Sequence, residues 1–354
     1  MKRIVHVASG REWRGGQKQT WLLARELQRA GVDQVLVTQK GSELARRAQA
    51  DGVPVRGVAW TMGLDPRAWW AARSEARHAP AILHAHDGHA VTIARWAAGN
   101  APWIATRRNS SPLRSPENWR GAARVVAISD AVRRQLLDDG IPEGRITLVP
   151  SGVDAAEIRA APHEELRTWA GIPNGGALIV TVAAATKEKG IFDATAAAGR
   201  LVAKEHRDLH WVFIGDGPVR QAVASLMEHE GFKGRIHLPG HHPDPARLLR
   251  GADLFVMPSL SEGLGTSVLD AMALDLPVVA TDAGGLRELL SDVAGVTVPA
   301  GDPDALADGV GRMLDDPELR RRSIEGGRRT VERYSVAAMA AGMRSVYDSV
   351  SANR

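Results

Sequence analysis

The chain has 354 residues, 44% of them hydrophobic and 24% charged, too long for one ordinary core and suited to two packed domains. It contains no cysteine, which excludes a disulfide scaffold and a cysteine-ligated metal. Lys and Arg number 45 against 41 Asp and Glu, a formal charge of +4; that excess is thin for a nucleic-acid binder and fits phosphate-bearing ligands or weak attraction to an anionic membrane.

The N-terminal MKRIVHVASG runs straight into a strand-like stretch without a signal-peptide core, and no apolar run reaches spanning length, the best being 177–185. A cytoplasmic protein is expected, at most peripheral at the inner face of the membrane. Ten tryptophans stand beside two tyrosines and four phenylalanines. Most are expected to pack. One or two among Trp69, Trp70, Trp96, Trp103 and Trp119 are candidates to line an acceptor cleft or touch lipid headgroups.

Short apolar runs alternate with helix-period segments, the pattern of parallel sheets covered on both faces. Strands are predicted at 4–8, 34–38, 81–84, 103–106, 125–128 and 146–149, with helices between them, as at 17–30 and 129–139. Residues 150–176 gather glycine, proline and charge and read as a linker with one short helix. The rhythm then restarts, with strands at 178–183, 209–214, 236–239, 254–257, 278–280 and 295–298. The tail from 328 to 350 reads as one or two helices. The expected class is α/β, with two Rossmann-like domains whose parallel sheets face a central cleft. Their bounds are set at 1–160 and 161–335, with 336–354 as a C-terminal helix packing back toward the first domain.

The segment PSLSEGLGTSVLDAMALDLPVVATDAGG at 258–285 carries the most chemistry. A strand stops at Pro258, a glycine loop follows, and Thr266 is expected to cap a helix with Val268, Leu269, Met272 and Ala273 on its apolar face. Such a loop offers backbone N–H groups and the positive end of a helix to a phosphate or pyrophosphate. Glu262 and Asp270 would repel that phosphate unless they face hydroxyls of a sugar and a ribose. An ordinary βα loop with two solvated acids is the plainer reading of the loop alone.

The full string resembles the donor signature of the retaining glycosyltransferase family 4, of the GT-B fold: two acids with seven residues between them, then AMALDLPVVATDAGG. Here the second acid is aspartate, and Asp275 stands where the family commonly has glycine. RGGQKQTWLLARELQRAG at 14–31, ISDAVRRQLLDDGIP with SGVD, KEKG, IGDGP and ADLFVMPS extend the likeness along the chain. The resemblance implies transfer of a sugar from a nucleoside diphosphate, UDP or GDP, to an acceptor hydroxyl with retained configuration. It implies no metal or other cofactor. By analogy the acceptor is a glycan or lipid-linked carrier of lipopolysaccharide or other cell-surface glycan synthesis. No nucleic-acid partner is expected.

Residue by residue, the resemblance gives Glu262 the hydroxyls of the transferred sugar and Asp270 the ribose. Gly263, Leu264, Gly265 and Thr266 would meet sugar and diphosphate through their backbone. Lys189 would offset charge on the leaving phosphate, and Gly15 and Gly16 would bring backbone close to it. Gly215, in IGDGP, would lie near the nucleotide. An arginine that the family often carries five residues before the lysine is Ala184 here, and the sugar-facing histidine after IATRR is absent. Arg107 or Arg108 stands in its place as a replacement cation, or as an acceptor-facing or surface arginine. In LHAHDGH, His84 and His86 share one strand face and Asp87 the other. A metal reading is set aside there; His86 is taken as an acceptor or sugar contact and His84 as a core histidine. Two rival functions stay open: a nucleotide-sugar epimerase of the same architecture, and an inactive nucleotide-sugar-binding protein.

Overall fold

The computed structural model describes residues 2–352 apart from 62–64, 79, 205–206 and 228–233. Residues 353–354 of the expected C-terminal helix therefore lie outside the described residues. Two compact units emerge, Met1–Gly152 with Ser335–Arg354, and Val153–Tyr334.

The first unit holds β1 (Arg3–Ala8), β2 (Gln34–Gln39), β3 (Val55–Val58), β4 (Ala81–Ala85), β5 (Trp103–Arg107), β6 (Arg124–Ala127) and β7 (Ile146–Leu148). They form one parallel sheet in the order β3-β2-β1-β4-β5-β6-β7. The second holds β8 (Ala177–Val182), β9 (Leu209–Ile214), β10 (Ile236–Gly240), β11 (Leu254–Met257), β12 (Val278–Thr281) and β13 (Val296–Val298). Its order is β10-β9-β8-β11-β12-β13, again parallel. Each sheet grows outward in both directions from a central pair, β1 beside β4 and β8 beside β11. At such a pair the following loops part in opposite directions, leaving a crevice at the carboxyl ends.

The apolar runs became strands because a sheet covered on both faces has no polar side to alternate with. β3 escaped the sequence reading. It is an edge strand, VRGV, with two exposed residues, so it never shows an apolar run. One face of the first sheet is sealed by the helices Gly15–Arg29, Glu43–Ala50 and Val336–Ala352, which set Leu22, Leu23, Leu27, Leu44 and Met343 against Ile4, Leu36, Ile82 and Ile104. Each such side chain contributes about 1.5–3 kcal/mol on burial. In the second unit Trp211, Phe213, Leu254 and Val256 meet Leu306, Val310 and Met313 of the helix Pro303–Asp315.

The division differs from the sequence reading. The chain leaves the first unit after Gly152 and returns after Tyr334, where Val153 N–H donates to Tyr334 C=O at 2.8 Å. Gly152 is held on both sides by Gln19, whose amide donates to its C=O at 2.8 Å and accepts from its N–H at 3.0 Å. The stretch taken as a linker carries two short helices, Ala155–Ala160 and Leu166–Ala170, and buries Ile158 and Leu166 in the second unit. The tail is two helices from earlier on, Pro317–Arg333 and Val336–Ala352; Asp316 starts the first by accepting from Glu318 N–H and Leu319 N–H, each at 2.9 Å. Among the described residues no helix is long and apolar enough to cross a membrane.

Candidate functional site

In the second unit, the loops after β8, β9, β11 and β12 converge at the crevice through glycines. A Cβ on Gly190, at φ 62°, would stand 1.8 Å from Pro258 C=O, so the KEKG turn and the PSLSEGLG loop touch only because this residue is glycine. Leu260 and Ser261 N–H both donate to Glu188 C=O, at 2.8 and 3.2 Å. The outcome is an ion pair between residues 73 apart in sequence: Lys189 Nζ donates to Glu262 Oε2 at 2.6 Å. The other carboxylate oxygen accepts from Gly263 N–H at 3.1 Å, and Ser259 Oγ donates to Oε2 at 3.4 Å. The Gly284–Gly285 pair closes the loop from beneath. Gly285 N–H donates to Glu262 C=O at 3.1 Å, and a Cβ on Gly284 would meet that oxygen at 2.0 Å.

Gly263, Leu264 and Gly265 are buried, with the Leu264 side chain turned inward. Thr266 is not the cap expected of it. Gly265, in the left-handed region at φ 91°, occupies the cap position of the helix Thr266–Ala273, which has no side-chain cap and no acid in its first turn. Asp270 lies half-buried one turn in. Gly215 N–H donates to Gly240 C=O at 2.8 Å, and a Cβ on Gly215 would strike Ala183 C=O at 1.9 Å, which binds the IGDGP loop to the end of β8. Beside that loop opens a concavity of about 650 Å³, lined by Asp216, Arg220, Met227, Ile236 and Leu238 among others; neither Lys189 nor Glu262 lines it.

In the first unit, Gly15 and Gly16 open the helix Gly15–Arg29, which likewise has no side-chain cap and no acid in its first turn. Arg108 runs past this turn; a Cβ on Gly16 would be 3.9 Å from Arg108 Cδ. The guanidinium donates to His86 C=O at 2.8 Å and approaches His86 Nδ1 at 3.1 Å, while its Nε is buried without a hydrogen-bond partner. Burial draws Arg108 down to about 10, against attraction from Asp87 and Tyr347. Arg107 points elsewhere, donating to Ser111 C=O at 2.6 Å beneath Trp119. Asp87 accepts from Ser9 N–H and Oγ at 2.7 and 2.6 Å and caps the helix Gly88–Ala98.

His86, expected to contact acceptor or sugar, is buried beside His6. It is 5% exposed, and its Nε2 lies 2.9 Å from His6 Nδ1. His6 Nε2 in turn lies 3.1 Å from Gln34 Oε1. His84 is spanned by Tyr347 Oη at 2.8 Å and Thr106 Oγ1 at 2.7 Å. Burial holds His6 at about 4 against the Gln34 hydrogen bond, and keeps His84 and His86 well below the usual histidine range. The three rings lie close enough to suggest a metal site, with a ligand atom of each within 4.8 Å of the others. Their nitrogens are engaged in hydrogen bonds, and a guanidinium stands against His86; burial and that positive charge favour neutral imidazoles. His6 and Gln34 were missed in the sequence. Their signal was there, as polar residues on the covered face of otherwise apolar strands, RIVHVA and QVLVTQ.

Solved structures give the fold. A glycosyltransferase from Rickettsia africae matches with a TM-score of 0.82 over 99% of both chains, at 19% identity. Anabaena HepE, crystallised with UDP-glucose, matches with a TM-score of 0.84 over 99% of this chain and 100% of its own, at 17% identity. Two Rossmann-like halves, each with a parallel sheet, give this chain the GT-B fold. The sequence model of glycosyl transferases group 1 matches residues 163–330, and that of Glycosyltransferase Family 4 matches residues 13–157. The chain belongs to the group 1 glycosyltransferases, of the family 4 type. It is 27% identical over 286 residues to phosphatidyl-myo-inositol mannosyltransferase of Mycobacterium leprae, covering 76% of this chain and 74% of that one. It is 30% identical over 241 residues to alpha-D-kanosaminyltransferase of Streptomyces kanamyceticus, covering 65% of this chain but 61% of that one.

Proposed function

We propose that this glycosyltransferase moves a sugar from a nucleoside diphosphate, UDP or GDP, to an acceptor hydroxyl with retention of anomeric configuration. The observation that carries the proposal is the Lys189–Glu262 pair, 2.6 Å long, set among glycine-packed loops at the carboxyl ends of β8 and β11. An ammonium suits the departing diphosphate and a carboxylate suits sugar hydroxyls. Pairing them keeps the crevice near neutral until a donor presents both groups at once. In the transition state negative charge grows on the leaving oxygen, and fixed positive charge there lowers the barrier most. Lys189 and the amides of residues 263–266 are the groups of the second unit assigned to it; in the first unit, Arg108 beside Gly16 is the cation assigned to a phosphate. The acceptor oxygen bonds to the anomeric carbon on the face from which the diphosphate leaves, and a departing phosphate oxygen takes its proton. Asp270 and Gly215 are assigned to the nucleoside. No metal is required by this scheme, so a chelator should leave turnover unchanged.

For the acceptor, the proposal is a lipid-linked or cell-surface glycan precursor. The Mycobacterium leprae relative is named for a phosphatidyl-inositol acceptor. Trp69, Trp70 and Trp96 are 37%, 57% and 59% exposed on the packed helices Pro66–Glu75 and Gly88–Ala98, with Arg56 over Trp70 and Arg95 over Trp96. Indoles flanked by arginines suit the headgroup layer of an anionic bilayer.

The test is a screen of UDP-, GDP-, ADP- and CDP-sugars for slow hydrolysis and transfer, with the product's anomeric configuration read by proton NMR. One donor should be turned over, with retention. Inversion would remove the mechanism. Release of an epimer with no acceptor present would favour an epimerase, and tight binding without turnover would leave a binding protein.

A further inference from the structure

The polar seam buried under the first sheet has a direction that its end groups dictate. Gln34 Nε2 donates to Ala24 C=O at 2.8 Å, and a carbonyl can only accept. Gln34 Oε1 is therefore the acceptor that faces His6 Nε2, so His6 carries its proton on Nε2. A neutral His6 then leaves Nδ1 as an acceptor, and His86 must donate to it from Nε2. His86 Nδ1 is left with a bare lone pair, and it faces an Arg108 Nη that can only donate. Gln34, 2% exposed on β2, thereby fixes which ring nitrogen meets Arg108 three side chains away. Every acceptor along the line is neutral, so the guanidinium is held in place without being neutralised.

We propose that Gln34, acting through His6 and His86, is a positioning residue that holds Arg108 beside the Gly15–Gly16 turn, bonded only to neutral acceptors, as a cation for a diphosphate. This rests on the donor reading above and adds the device that keeps one of its cations aimed. The charged and titratable groups around His6 among the described residues are His84 from β4 and His86 just after it, with ring centroids 5.6 and 5.1 Å away, Arg108 after β5, and, through His84, Tyr347 of the C-terminal helix. Asp87 acts on Arg108 from the helix Gly88–Ala98. Gln34 itself is uncharged.

The informative variant is Gln34→Glu. A carboxylate opposite Nε2 favours the imidazolium of His6. Both nitrogens of that ring then donate. His86 must accept at Nε2 and move its proton to Nδ1, where it opposes the donor on Arg108. The experiment uses the full chain with ¹⁵N-labelled histidine and arginine, read by NMR between pH 6 and pH 8.5, with inorganic pyrophosphate as the probe. In the wild type His6 and His86 should both be Nε2–H tautomers, and pyrophosphate should shift the Arg108 side-chain resonances with a Kd that follows only the probe's own protonation. In Gln34→Glu the Kd relative to wild type at the same pH should be at least fivefold larger at pH 6 than at pH 8.5, in step with a His6 titration inside the range. If Gln34→Glu does not fold, Gln34→Met removes the acceptor and should free the His6 tautomer and weaken pyrophosphate at every pH. An Nδ1–H tautomer at His6 or His86 in the wild type, no effect of pyrophosphate on Arg108, or equal Kd in variant and wild type would overturn the proposal. None of these readouts requires transfer, so failure of the enzyme assay would be a separate result.

Discussion

Asp275 shows how one residue balances two effects. It sits at φ 61°, in the left-handed region that disfavours side chains, at the position where the family resemblance calls for glycine. It is held there by a two-pronged bridge to Arg328, with both bonds at 2.8 Å. The bridge also pulls the Asp275 carboxyl below its ordinary range. Asp275→Ala loses the bridge and keeps the strain, whereas Asp275→Gly loses the bridge and relieves the strain. The glycine variant should be the more stable of the two by about 1 kcal/mol in urea unfolding; the reverse order would show that φ is not strained at this position. At Gly152 the limit is space. An added Cβ would lie 2.7 Å from Val336 Cα, which is backbone and cannot swing aside. Gly152→Ala should destabilise the docking of the C-terminal helix, read as faster amide exchange over Val336–Ala352, and exchange rates equal to wild type would contradict the close contact.

Among the elements, the central strand pairs concentrate both chemistry and cost. Three histidines are buried neutral beside β1 and β4. Their unfolded forms take up protons near 6.5, while folded His6 does so near 4 and the other two lower than usual. As pH falls through 6.5 the unfolded chain binds more protons than the folded one, so stability declines from there toward pH 4. Each such histidine adds a slope of up to about 1.4 kcal/mol per pH unit. Urea unfolding at pH 7.5 and 5.0 should show a drop that shrinks in His84→Gln; an equal drop in both proteins would contradict neutral burial. The elements themselves were largely legible, because apolar runs mark strands in a sheet covered on both faces. The edge strand VRGV was not, since it lacks that burial. In the crevice, the string from Glu262 to Gly285 made the loop and its acids readable. Contact between Glu262 and Lys189 was not readable, because strand order brings β8 beside β11 and spacing along the chain does not encode it. For His86, strand position showed the face it shares with His84, but not that His6 and Arg108 would fill the space beside it.

For the molecule as a whole, the chain divides between one unit that carries the Lys189–Glu262 pair and another that carries the Arg108 relay and the exposed tryptophans. If the latter surface meets lipid, the full protein should sediment with phosphatidylglycerol vesicles and not with phosphatidylcholine vesicles. Replacing Trp70 and Trp96 together by serine should lower that binding several-fold, and unchanged binding would remove this surface from the account. The Lys189–Glu262 pair in the second unit is expected to grip a nucleoside diphosphate sugar. Titration calorimetry of the donor found in the screen, on wild type and on Lys189→Ala, measures that grip. Binding to the variant should be at least tenfold weaker, about 1.4 kcal/mol or more, with the fold intact; equal affinity in the two proteins would show that the pair does not hold the donor.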